Sequence, residues 1–248
     1  MDELYFSKWI SFKNDRIPKC VAQTKRPPAN IRYRAQYIFD IFVQRYELLI
    51  EKYSRGDDVE ELRPMLPELI EAWEWARREE LKVFNEEEMH RRHGFDVNLD
   101  AYNLALWLVS IFICLQAEAP LLARLIALIG NEGQDQLYER LIATQVQGRK
   151  QAQALLHPKP YALLYEAIDE PVKADRDKLL LKFMKAWYPS MHRTYWHDSH
   201  KGKDGGGYFG YWCFEAAGVV RAFGIDDTVI RDDPYYPKDM AAFGTVVA

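Results

Sequence analysis

The chain has 248 residues, 48% of them hydrophobic and 14% aromatic, enough apolar material for a sizeable buried core and too much for a disordered chain. Lysine plus arginine number 33 against 37 acids, a formal net charge of -4, which gives no global electrostatic reason to bind nucleic acid. The three cysteines, Cys20, Cys114 and Cys213, are widely spaced and fit neither a disulfide framework nor a CxxC metal site.

Along the chain, the segment up to Arg34 carries eight Lys or Arg against three acids, with Pro18, Pro27 and Pro28, and reads as an irregular basic arm. Its start, with Asp2 and Glu3 and with Lys8 and Lys13 breaking the apolar residues, is unlike a signal peptide, so a cytoplasmic protein is expected. A helix is predicted from near Ala29: Ala35, Ile38, Phe39, Phe42, Tyr46, Leu49, Ile50 and Tyr53 recur at three and four, and Ser54-Arg55-Gly56 ends it. Pro67 opens a second helix that continues to about Met89. Asp96, Asn98 and Asp100 offer caps to a third, whose run from Tyr102 to Leu115 is apolar on nearly every face and well short of the roughly 20 residues a membrane span needs.

A fourth helix covers Leu121–Ile129, and a fifth follows the Gly130 and Gly133 break, from Gln134 to about Gln153. Tyr161–Ile168, Asp175–Trp187 and Tyr208–Phe223 complete the helical candidates, and alternating β-branched runs are absent. The predicted class is all-α: a multi-helix bundle of two helical regions, 1–130 and 131–248, packed as one compact unit.

Few residues point to chemistry. Gly205–Gly210 formally matches GxGxxG, but no strand precedes it and a polar loop is the simpler account. His192, His197 and His200 lie close to Asp198, which makes a helical metal-dependent hydrolase the alternative function, although their spacing matches no standard ligand pattern. Glu87 and His90 form a single Glu-x-x-His without the second copy that a di-iron bundle uses. Glu215 falls on an apolar helical stripe, so it is expected to be buried and tied to Tyr, Trp, His or Arg partners, with catalysis as the competing reading. Two acidic patches remain, Asp57, Asp58, Glu60 and Glu61 in the first half and Asp226, Asp227, Asp232 and Asp233 near Tyr235 and Tyr236 in the second. Acids beside rigid tyrosines suit a surface that steers and anchors a basic partner.

Specific strings then carry a resemblance. Gly210-Tyr-Trp-Cys-Phe-Glu-Ala-Ala217, Gly224-Ile-Asp-Asp227 and Pro234-Tyr-Tyr-Pro237 followed by Asp239 resemble the C-terminal signature of PoNi-like immunity proteins. Tyr46, Tyr53-Ser54-Arg55-Gly56, Leu62, Pro67-Glu68-Leu69 and Glu71-Ala-Trp-Glu74 are similar to that family's N-terminal region, while the stretch from Glu79 to Gly206 resembles it less. The resemblance implies an all-helical antitoxin, without catalysis, cofactor or metal. Its implied partner is a PoNe-type nuclease, a DNase of the PD-(D/E)xK superfamily used in interbacterial competition such as type VI secretion. It implies no direct contact with nucleic acid or membrane and is compatible with a homodimer. Asp233 and Lys238 replace the His and Tyr more usual in the family, a difference that bears on partner choice. On this reading Tyr211, Trp212, Phe214 and Glu215 are a structural signature, and the two acidic patches with Tyr235 and Tyr236 are the candidate contacts for the toxin.

Overall fold

The computed structural model describes residues 2–202 and 207–244, so Gly205 and Gly206 of the glycine run lie outside the described residues. Among the described residues the regular elements are helical and no strand occurs, which makes the protein all-α. No helix among them is long and apolar enough to cross a membrane. The chain divides into two compact units, Met1–Arg92 with His200–Gly210, and His93–Ser199 with Tyr211–Ala248.

In the first unit the expected irregular arm is instead a helix, α1 (Glu3–Gln23). Asp2 caps it by accepting the Tyr5 N–H at 3.0 Å, and Phe6, Ile10, Lys13, Ile17 and Cys20 form a buried stripe at helical spacing. Pro18 sits on the exposed side of α1, and Pro27 and Pro28 occupy the connection that follows. The prolines therefore shape the arm without abolishing its helix. α2 (Ile31–Arg55) starts at the Asn30 cap and stops at Gly56, whose φ of 95° is the left-handed value that favours glycine. Its inner face meets α1 through Ile41 and Leu48, and Phe42 stacks on Trp73 of α4 (Leu66–Glu80) at 4.7 Å. The short α3 (Val59–Leu62) and a 3-10 turn connect α2 to α4.

The helix expected from Pro67 to Met89 is two helices, α4 and α5 (Glu86–His93). Asn85 and Glu88 form a reciprocal capping box, the Glu88 N–H on Asn85 Oδ1 at 2.9 Å and the Asn85 N–H on Glu88 Oε2 at 3.0 Å, and this restarts the chain.

The second unit is built on α6 (Leu99–Cys114), whose residues from Ala105 to Cys114 are buried on every face. α7 (Ala119–Ile129) and α8 (Gln136–Ala143) follow, then α9 (Pro158–Asp169) and α10 (Lys173–Ser190), joined by a short turn. α8 is ten residues shorter at its end than the predicted Gln134–Gln153 helix. Its N-cap Asp135 also accepts the Leu156 N–H at 2.8 Å, and Arg149 grips Glu139 at 2.8 Å, so the following segment folds back as a loop. α11 (Phe214–Phe223) starts later than the predicted Tyr208, and α12 (Lys238–Ala242) was not expected. α11 packs so closely on α6 that a Cβ at Gly218 would lie 2.2 Å from Ser110 Oγ. Glycine is required there by close approach.

Candidate functional site

Glu215 lies in the first turn of α11 and is fully buried. Its Oε1 accepts the Trp187 Nε1–H at 2.6 Å and the Tyr161 hydroxyl at 3.0 Å, while Oε2 has no hydrogen-bond partner among the described residues. Burial pushes the carboxyl up to about 7, and the Trp187 and Tyr161 donors hold it from rising further. The network continues through Asn103, whose Nδ2 donates to the Tyr161 oxygen at 3.3 Å and whose Oδ1 accepts the Trp196 Nε1–H at 2.9 Å. Glu215 thus joins α9 and α10 to α11 inside the unit, as a carboxyl tied to Tyr and Trp. Phe214 meets Trp107 edge-on at 5.5 Å, Tyr211 is buried against Trp196, and Trp212 is half-buried.

The segment after α11 carries the second acidic patch, and its residues divide by side. Asp227 and Tyr236 face inward, at 7% and 2% exposure: the Tyr236 hydroxyl donates to Asp227 Oδ2 at 3.0 Å, and Arg231 Nε donates to Oδ1 at 3.0 Å. They brace the loop from below. Asp226 faces out, accepts the Thr228 N–H at 3.0 Å and lies 3.2 Å from Lys173 Nζ; the Thr228 donors and this lysine hold its carboxyl down at about 2. Asp232 has a side chain 96% exposed, with Lys238 at 3.7 Å. Asp233 Oδ1 accepts the Tyr235 N–H at 2.9 Å, fixing the half-exposed tyrosine beside it.

Tyr235 leads to residues that sequence reasoning did not assign to this surface. Its ring stacks on Tyr188 at 5.2 Å and 10°, and Tyr188 also stacks with His197 at 4.4 Å and 25°. The Tyr188 hydroxyl donates to Asp198 Oδ1 at 3.0 Å and accepts the Asp198 N–H at 3.3 Å. Burial, with hydrogen bonds to Tyr211 and Asp198, raises the Tyr188 phenol. The tyrosine next to the buried Trp187 at the end of α10, beside Pro189, was the available signal.

The first-unit patch is arranged differently. Asp57 is held by Arg55 through two 2.6 Å contacts, and Asp58 caps α3 by accepting the Glu60 N–H at 2.9 Å. Glu60 and Glu61 remain exposed in the first turn of α3.

The histidines do not assemble a metal centre. His192 Nδ1 lies 3.2 Å from the Pro189 carbonyl oxygen, His197 stacks on Tyr188, and His200 meets Tyr208 edge-on. Among the described residues no group of three or more His, Cys, Asp or Glu is placed to hold a metal ion, and the hydrolase alternative loses its support. The three cysteines are buried and free, and burial pushes the Cys114 thiol up to about 12, far from the thiolate a nucleophile needs.

Two family models match the chain. The N-terminal model of the PoNe immunity protein (PoNi) family covers residues 1–127, and the C-terminal model of the same family covers residues 133–240. No curated protein matches. Among solved structures, the crystal structure of protein PA2201 from Pseudomonas aeruginosa is similar, with a TM-score of 0.74 and 18% identity over 98% of this chain and 88% of that one. At that identity the likeness speaks to the fold.

Proposed function

The chain belongs to the PoNe immunity protein (PoNi) family, and from that premise we propose that its acidic, aromatic C-terminal surface masks the DNA-binding face of the toxin it neutralises. It is an immunity protein against a nuclease effector, and so binds a toxin partner. In our reading the toxin is a PoNe-type DNase, inhibition needs no catalysis by this chain, and the complex forms in the cytoplasm.

One observation carries the proposal: Asp226, Asp232, Asp233 and Tyr235 are offered outward from a single loop braced beneath by Asp227 and Tyr236. A nuclease holds the phosphates of DNA with Lys and Arg, so its cleft is positively charged. Carboxylates complement that charge and speed encounter, while a fixed tyrosine excludes water from the contact at small entropic cost. Glu60 and Glu61, exposed in the first turn of α3, form a second, smaller acidic surface and take a lesser part.

Co-expression of PoNe-type nuclease domains with this chain, followed by DNA-cleavage assays on the purified pair, tests the function itself. Asp232→Lys with Asp233→Lys tests the surface. We expect association to slow by about tenfold at low salt, with the difference shrinking as salt screens it. An unchanged association rate at low salt would remove this loop from the interface.

A further inference from the structure

We propose that the cleft where α1 gives way to α2 is a second docking site for the toxin, one that takes a segment in which an apolar side chain stands beside an Asp or Glu. The inference rests on the toxin-binding role above and adds a contact within the first unit.

The stretch from Gln23 to Tyr37 has the opposite charge to the chain as a whole: it carries Lys25, Arg26, Arg32 and Arg34 and no acid. Arg32 pairs with Glu88 and Arg34 with Glu79, whereas Lys25 and Arg26 are exposed and have no ion pair among the described residues. Next to them lies a cleft of about 390 Å³, lined by Arg26, Pro27, Pro28, Ala29, Tyr33 and Tyr37 among others. Ligand sites run from about 300 to 1,000 Å³ and are mostly apolar with a few polar groups, as this lining is.

Tyr33 is the open ring. It is 76% exposed, and its side chain makes no ring contact or hydrogen bond among the described residues. Tyr37, one helical turn on, is the fixed wall: it packs on the buried cluster between α1 and α2, and its hydroxyl donates to Gln23 Oε1 at 3.2 Å. The frame exists before binding. Pro27 and Pro28 restrict the backbone, the Thr24 hydroxyl donates to the Val21 carbonyl at 2.7 Å, and Asn30 Oδ1 accepts the Arg32 N–H at 2.9 Å.

These groups define the occupant. The prolines and tyrosines suit an apolar side chain, and the unpaired Lys25 and Arg26 suit a carboxylate next to it. A basic segment would meet two uncompensated cations. Nucleic acid fits less well, because affinity for it grows with the number of phosphates neutralised and only two free cations stand here. The Thr24 hydroxyl and the Asn30 oxygen are also spent on the backbone, which leaves few groups to read a base edge. The toxin is the protein partner that family membership supplies. The acidic loop and this cleft then seek opposite charges on it, so the toxin cannot dock with the two contacts exchanged.

The test takes a PoNe-type nuclease that the wild-type chain neutralises and measures its affinity by calorimetry. Tyr33→Ala should bind about tenfold more weakly, and Tyr33→Phe should stay within about twofold of wild type. Lys25→Glu with Arg26→Glu should also cost about tenfold at low salt, and less as salt rises. All three residues are exposed, so melting should not change. In a scan of the toxin's surface acids, one Asp or Glu changed to Lys should weaken binding to the wild-type chain and restore binding to the Lys25→Glu, Arg26→Glu chain; the absence of any such acid would overturn the charge assignment. A labelled single-stranded DNA oligonucleotide, or a dimer of the chain alone, that binds through the cleft and is lost in Tyr33→Ala would replace the toxin segment as its occupant. If the complex forms but Tyr33→Ala and the double charge reversal both bind within twofold of wild type, the cleft is refuted while masking stands. If no PoNe-type nuclease is bound by the wild-type chain, both fall.

Discussion

Glu51 on α2 and Glu215 on α11 are both fully buried glutamates, one in each compact unit, and burial pushes both carboxyls up to about 7. Their surroundings differ in kind. Glu51 Oε1 meets Lys13 Nζ of α1 at 2.7 Å, and the same lysine holds Glu47 at 2.8 Å, so one buried cation serves two acids. Glu215 is held instead by the neutral Trp187 and Tyr161 donors. At these two glutamates, therefore, the first unit relies on a charge balance, and the second on neutral donors that serve the acid whether or not it is protonated. The first arrangement is vulnerable to loss of one lysine, and the second to loss of the carboxyl oxygen that two donors share.

The largest expected effect follows from that vulnerability. Lys13→Met leaves Glu51 and Glu47 without their cation in a dry contact between α1 and α2, and breaking a buried pair from one side costs about 4 kcal/mol. Urea unfolding at pH 8 should report that loss, and at pH 5 it should shrink, because an uncompensated Glu51 then takes a proton. Equal losses at both values would mean that Lys13 acts by packing alone. Next in size is Glu215→Ala, which strands the Trp187 and Tyr161 donors and opens a cavity among aromatic rings; about 3 kcal/mol is expected at pH 5. A loss below about 1 kcal/mol would show that the second unit does not depend on the shared oxygen.

The contrast also explains what the sequence disclosed. The helical period of Ala35 through Tyr53 and the Gly56 stop announced α2, and the uninterrupted apolar run announced α6. α1 was hidden because Lys13 stands in the middle of its apolar stripe, and the acids that make a buried lysine tolerable belong to another helix. The break before α5 was written locally, as Asn85 three residues ahead of Glu88, inside a stretch whose helix formers ran on without pause. Glu215 was legible as a buried carboxyl because its neighbours on α11 are apolar, but its donors come from α9 and α10. The acidic loop shows the same limit. Sequence neighbours Asp226 and Asp227, or Tyr235 and Tyr236, point to opposite sides of one turn-rich segment, and Tyr188 reaches Tyr235 only through the tertiary fold.

The finest test replaces each buried acid by its amide. Below pH 4.5 the Glu215 carboxyl is protonated in the folded and unfolded chains alike and leaves stability unchanged. Between 4.5 and about 7 the unfolded chain releases its proton while the folded chain keeps it, so the folded form binds more protons and stability falls as pH rises. At roughly 1.36 kcal/mol per unit the fall totals ~3 kcal/mol, complete above pH 7. Glu215→Gln should sit within about 1 kcal/mol of wild type at pH 5, because the amide oxygen still accepts from Trp187 and Tyr161. It should then lose its share of the decline between pH 5 and 8. Glu51→Gln should remove a second share of that decline, since its acid is raised by the same burial, but it also weakens the hold on Lys13. The two amides therefore separate the units: at pH 8 Glu215→Gln should gain on wild type, whereas Glu51→Gln should gain less. Equal gains would mean that the lysine contributes nothing a neutral donor could not.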